Sequence, residues 1–127
     1  MIGLLQGRVV ECQPTRAIID VQGVGYEVFM PISTYDRISK TAEKVTLFTH
    51  LHVREDVLQL FGFASQAEKT LFQKIIAVSG IGPKVAVGIL SSASVDDFMR
   101  FVRTSDVTRL KALPGIGKKT AERLILE

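Results

Sequence analysis

Two glycine-rich triplets, Gly80-Ile81-Gly82 and Gly115-Ile116-Gly117, each followed two residues later by a lysine (Lys84 and Lys119), are the positions of this 127-residue sequence best suited to chemistry. That chemistry is anion binding. Glycine allows a tight turn where a β-carbon would obstruct the chain. A helix starting just after such a turn offers free backbone N–H groups and the positive end of its dipole. A lysine in that first turn is unfavourable for the dipole unless an anion lies between them. Lys118 and Arg123 add positive charge in the second copy, whereas Pro83 takes the place of Lys118 in the first, and proline suits a first helical turn. The expected phosphate ligands are Ser79, Gly80, Gly82 and Lys84 in one copy, and Gly115, Gly117, Lys118, Lys119 and Arg123 in the other.

The two triplets belong to an internal repeat with an offset of 35 residues. Ile75, Val78, Lys84, Ala86, Ile89 and Leu90 correspond to Leu110, Leu113, Lys119, Ala121, Leu124 and Ile125. Each copy reads as a helix ending in an apolar residue, a hairpin, and a second helix with alanine on its inner face. This resembles the helix–hairpin–helix motif, with Ile81 and Ile116 placed to plug between the paired helices. Other phosphate motifs do not fit. A dinucleotide fingerprint needs a third glycine where Val85 and Thr120 stand, and an NTPase phosphate loop needs glycine at Ala112 and Ser or Thr at Lys119. The chain is not expected to hydrolyse ATP by itself.

The remaining polar candidates are weaker. Arg54-Glu55-Asp56 lies between two strand patterns and reads as the border or tip of a hairpin, for which a solvated turn is the plain explanation. His50 and His52 fall on one strand face, but no Cys or Asp nearby completes a metal set. Cys12 is the single cysteine, which excludes an internal disulfide and a Cys-based zinc site. No Ser–His–Asp or Cys–His set stands out, and no catalytic residue, metal or cofactor is expected. The aromatics Tyr26, Phe29, Tyr35, Phe48, Phe61 and Phe63 lack interleaved basic residues, so core packing explains them better than base stacking does.

The elements that must position these residues change character midway. The segments 2–12, 17–21, 25–30, 45–53 and 57–63 are rich in β-branched and aromatic residues, and Val45, Leu47, Thr49, Leu51 and Val53 alternate with a period of two. With a short helix at 33–38, they predict a small closed barrel of the OB type. From Ser65 the period becomes helical. Ser65-Gln66-Ala67-Glu68 is a capping box, Leu71, Phe72, Ile75 and Ile76 form an apolar stripe, and Val95, Phe98, Met99 and Val102 form another after Ser94. The fold expected is α+β: an OB-fold barrel over 1–63, then an all-α tandem helix–hairpin–helix domain over 64–127. The net charge of +3 is uneven. Residues 1–63 hold six Lys/Arg against seven Asp/Glu, and residues 64–127 hold ten against six, so an anionic partner is expected at the helical half. No secretory signal pattern and no run of about 18 apolar residues occurs, so a cytoplasmic protein without a membrane span is expected.

Taken together, Met1-Ile2-Gly3, Gly23-Val24-Gly25-Tyr26-Glu27-Val28, Val53-Arg54-Glu55-Asp56, Gly62-Phe63, Gly80-Ile81-Gly82-Pro83-Lys84 and Leu113 to Arg123 resemble the RuvA family of bacterial Holliday-junction proteins. The resemblance implies four-fold symmetric tetramers, two of which can enclose a four-way DNA junction face to face, with helix–hairpin–helix units on the minor-groove side of each arm. It also implies a third domain that binds the RuvB ATPase, branch migration driven by RuvB in recombination and repair, and a link to the RuvC resolvase. Glu55 and Asp56 match the family's acidic pin beside the crossover. That changes the reading of the turn, because carboxylates gathered on a four-fold axis would repel phosphates and guide separated strands. Leu124-Ile125-Leu126-Glu127 falls within a continuing helical pattern, so the third domain is expected to be missing. Such a chain should bind junctions and assemble without stimulating RuvB. The competing readings are a base-excision glycosylase, whose catalytic Asp or Lys would lie further downstream, and a protein–protein adaptor, whose binding would lack steep salt dependence.

Overall fold

The computed structural model describes residues 1–40 and 44–126. The chain divides into two compact units, Met1–Lys69 and Thr70–Glu127.

The first unit is a closed five-stranded barrel in the order β1-β2-β3-β5-β4. Its strands are β1 (Leu4–Gln13), β2 (Arg16–Val21), β3 (Val24–Phe29), β4 (Lys44–Arg54) and β5 (Val57–Phe63), with helix α1 (Ile32–Ile38) between β3 and β4. This is the OB-like topology expected from the sequence. Strand β1 serves both sides of the closure. Its first residues pair antiparallel with β4 and its last with β2, and a register shift between Val9 and Glu11 bends it from one partner to the other. Parallel pairing of β3 with β5, Val28 opposite Leu60 and Phe29 opposite Phe61, completes the cylinder. Gln22 and Gly23, both at positive φ, make the two-residue turn between β2 and β3.

Alternate side chains fill the interior: Leu5, Ala17, Ile19, Val28, Val45, Leu47 and Leu60 are buried, with Met30 and Ile38 at one end. Glycine is required at 62, where a β-carbon would come within 2.5 Å of Val28 Cγ1. The alternation expected for β4 holds through Val45, Leu47 and Thr49, then fades: Leu51 is half-buried and Val53 is 63% exposed. The last rungs of the β4–β5 hairpin therefore run past the apolar filling, and Val53 faces an equally bare Leu58, 71% exposed, across the ladder.

Helix α2 (Gln66–Ile76) starts where the capping box places it. The Ser65 hydroxyl accepts the Glu68 N–H at 3.2 Å, and the Glu68 carboxylate in turn accepts the hydroxyls of Ser65 at 3.2 Å and Ser33 at 2.7 Å. These bonds explain why the first turn of α2 groups with the barrel, although residues 64–69 read from sequence as part of the helical half.

The second unit contains the rest of α2 and α3 (Pro83–Ser92), α4 (Val95–Arg103), α5 (Val107–Lys111) and α6 (Lys118–Leu126). Its buried residues, Leu71, Phe72, Ile75, Val78, Ile81, Ala86, Ile89, Leu90, Phe98, Leu110, Leu113, Ile116, Ala121 and Leu124, include most of the repeated apolar positions. In the stripe on α4, Phe98 is buried while Met99 is 38% exposed. No helix among the described residues is long and apolar enough to cross a membrane.

Candidate nucleic-acid interface

The two hairpins have nearly the same backbone. Gly80 and Gly115 sit at φ +92° and +75°, in the left-handed region that favours glycine. The preceding helices close on equivalent bonds: Val78 N–H to Ile75 O at 3.0 Å, and Leu113 N–H to Leu110 O at 3.1 Å. Ile81 N–H reaches Val78 O at 3.2 Å, as Ile116 N–H reaches Leu113 O at 3.2 Å. Both isoleucines are buried, at 5% and 6% exposure, which fits the expected plug between paired helices. The following helices open on Ala86 N–H to Gly82 O at 3.0 Å and Ala121 N–H to Gly117 O at 2.9 Å, with both alanines fully buried. An offset in sequence has become a repeat in three dimensions.

The second glycine of each triplet has a different reason from the one expected. Gly82 has φ −92° and ψ 173°, extended backbone open to any residue. A β-carbon at 82 or at 117 would meet nothing within 4 Å. Neither glycine is needed by the hairpin itself. Each instead leaves bare backbone on the outer surface, directly before a helix start, where a side chain would hold a ligand away.

Among the helices from α2 onward, the starts of α3 and α6 stand apart. Helix α4 begins with the Ser94 hydroxyl accepting Asp97 N–H at 3.0 Å and carries Asp96 and Asp97 in its first turn. Helix α5 is capped by Asp106, which accepts Arg109 N–H at 3.1 Å, and α2 has Glu68 in its first turn. Helices α3 and α6 have no acidic residue there, and the N-cap Gly82 of α3 contributes no side-chain bond. In place of acids stand the exposed Lys84, Lys118 and Lys119. At the starts of α2, α4 and α5, hydroxyl or carboxylate caps and first-turn acids answer the exposed N–H groups and dipole. Helix α1, with Pro31 as its N-cap, has neither a cap bond nor an acid, but no lysine stands in its first turn. At α3 and α6 the same groups remain available to an outside anion, with lysines beside them.

Ser79, Gly80, Lys84, Gly115, Gly117, Lys118, Lys119 and Arg123 are all exposed, and Gly82 is half-exposed. Arg123 departs from its expected place. Its Nη1 donates to Ser79 O at 3.2 Å, so the guanidinium lies at the first hairpin although the residue belongs to the second copy.

Glu55 and Asp56 are the two turn residues between β4 and β5, flanked by the pair Arg54 and Val57, and both are exposed. Neither enters a salt bridge among the described residues. His50 and His52 do share a face, with ring centroids 6.4 Å apart, and His52 meets Phe61 edge-on at 6.4 Å. No group of three or more His, Cys, Asp or Glu able to hold a metal occurs among the described residues. Burial, then the charges of His52, Lys69 and the N-terminus, lower His50 below its ordinary 6.5. Burial likewise raises the Cys12 thiol.

Comparison with known proteins adds a separate line of support. The RuvA N terminal domain model matches residues 1–62, and the SAM-like helix-hairpin-helix tandem model matches residues 72–127. The whole chain aligns with proteins named Holliday junction branch migration complex subunit RuvA. It is 49% identical to the one from Actinobacillus pleuropneumoniae, 51% to that of Thioalkalivibrio sulfidiphilus and 52% to that of Methylococcus capsulatus, all over 127 residues. It spans 63% of the length of each of these relatives. With its barrel and its paired hairpins both matched, the chain belongs to the RuvA family.

Proposed function

We propose that this chain binds four-way DNA junctions through their backbone phosphates, without regard to sequence, as the junction-binding part of a RuvAB branch migration complex. The observation that carries the reading is the pair of equivalent hairpins, each opening a helix with uncapped N–H groups, bare glycine backbone and exposed lysine. Backbone phosphates of one duplex arm are the natural ligand for two such sites lying close together on one compact unit. The chain's own role is binding, while ATP-driven movement belongs to the partner RuvB.

Preference for a junction over plain duplex needs several copies around a centre. A homotetramer supplies this, with Glu55 and Asp56 of each copy pointing carboxylates at the crossover, and two tetramers face to face would enclose it. The bare Val53 and Leu58 next to that turn support burial against other copies. Contact with RuvB belongs to a further domain of the family's longer members, and the open arms of a tetramer-bound junction would admit the resolvase RuvC. A cytoplasmic location follows from this function.

The test is a titration comparing a four-way junction with duplex of equal length, repeated for a Glu55→Gln, Asp56→Asn variant. The chain should prefer the junction at least tenfold, and the variant should bind duplex normally while losing part of that preference. Equal affinity for both DNAs in the unmodified chain would reduce the reading to a general DNA-binding module.

A further inference from the structure

The 35-residue offset sets Arg123 of α6 in the place that Gly88 holds in α3, and Ser79 of the first hairpin in the place of Pro114 in the second. The structure brings these positions together across the copies. Arg123 Nη1 lies 3.2 Å from Ser79 O and 3.6 Å from where a β-carbon on Gly80 would stand. On the opposite side, a β-carbon on Gly88 would lie 3.7 Å from Pro114 Cβ, and one on Gly115 would lie 3.0 Å from Val85 Cγ1. Each copy's second helix thus leans on the other copy's hairpin. One of these contacts is apolar and the other is made by a guanidinium.

That difference matches a deficit in the first hairpin. Pro83 stands where the second hairpin has Lys118, so the first lacks one cation and one backbone N–H. A guanidinium carries five N–H donors in a planar fork, and one bond to Ser79 O leaves donors for an anion at the same turn. We infer that Arg123 is a ligand of the first hairpin's phosphate site, supplying from the second copy the charge that Pro83 removes from the first. The two sites then hold two cations each, Lys84 with Arg123 and Lys118 with Lys119. The bond to Ser79 O makes Arg123 a brace for that hairpin as well. The inference rests on the proposal that both hairpins bind backbone phosphate.

The test is a set of junction titrations at several salt concentrations with Arg123→Ala, Lys84→Ala, Lys119→Ala and the doubles. Arg123→Ala should weaken binding roughly tenfold, in line with the loss of one charge-assisted contact, and lower the salt slope by about one. Its effect should couple to that of Lys84→Ala, which serves the same phosphate, and add independently to that of Lys119→Ala. Adding Pro83→Lys to Arg123→Ala returns a cation to the first hairpin by the second hairpin's own solution, so affinity and slope should recover while the Ser79 bond stays broken. Coupling to Lys119 instead of Lys84, or a failure of Pro83→Lys to restore binding, would overturn the inference and leave Arg123 a brace only. If Lys84→Ala and Lys119→Ala were themselves without effect, the phosphate-binding proposal would fail rather than this assignment.

Discussion

At the scale of single residues, the four hairpin glycines divide into two kinds. Gly80 and Gly115 hold left-handed backbone at φ +92° and +75°, which costs an alanine on the order of 1–2 kcal/mol. Gly82 and Gly117 hold no such conformation and face open space. Alanine at 80 or 115 should therefore lower the thermal midpoint. Alanine at 82 or 117, where no left-handed backbone is forced and only the N-cap preference for glycine is lost, should cost about 1 kcal/mol or less, yet weaken DNA binding by about tenfold or more by keeping phosphate off the N–H groups. Thermal melts and titrations on the four single variants separate these effects. If alanine at 82 and 117 leaves binding intact, these glycines are not contact points. The sequence shows the triplets but not this division, because the β-carbon environment exists only once the chain has folded. Arg123 illustrates the same limit: its partner Ser79 is 44 residues away, and nothing local to either residue announces the contact.

At the scale of elements, most of the architecture is legible because burial repeats with the period of each element. The strands from Leu4 to Phe63 and the helices around the two triplets follow directly from such patterns. The exceptions are elements that outrun their core. Strand β4 keeps a strict alternation on paper to Val53, but the barrel filling ends near Thr49. Helix α5, five residues long, is too short for helical periodicity and is fixed by its Asp106 cap and buried Leu110. The plugs between paired helices depend on a few residues each. Ile116→Ala should cost about 2–5 kcal/mol, enough to unfold much of so small a unit, and urea denaturation would reveal a small change as a contradiction.

The barrel carries a pH dependence of its own. His50 has its folded value lowered from 6.5 chiefly by burial, so the folded chain binds fewer protons there than the unfolded one. Its contribution to stability is present above that pH and is lost as pH falls through it towards the lowered folded value. The urea midpoint should drop from about pH 7.5 to about pH 5.5, and His50→Gln should make that drop shallower. An identical pH profile in the variant would show that His50 does not set it.

At the scale of the whole molecule, charge is distributed by task. The helical half carries the positive excess and the two glycine hairpins proposed to bind phosphate, and the barrel carries the acidic turn. Residue types alone make that turn an ordinary solvated loop, and the structure places Glu55 and Asp56 at the tip of a hairpin running past the barrel's filling. The role proposed for it depends on neighbouring copies, so it is not written in the residues of the turn itself. The hairpins need no such help, since their repeat, lysines and uncapped helix starts all lie within one chain.

If these two hairpins hold DNA by its phosphates, junction binding must depend on salt, and the dependence must differ between the unmodified chain and the Lys84→Ala, Lys119→Ala double variant. The logarithm of the association constant should fall linearly with the logarithm of salt concentration, and the double variant should bind more weakly with a slope shallower by about two. Binding that is indifferent to salt, or a slope unchanged when both lysines are removed, would show that the hairpins do not hold DNA by its phosphates.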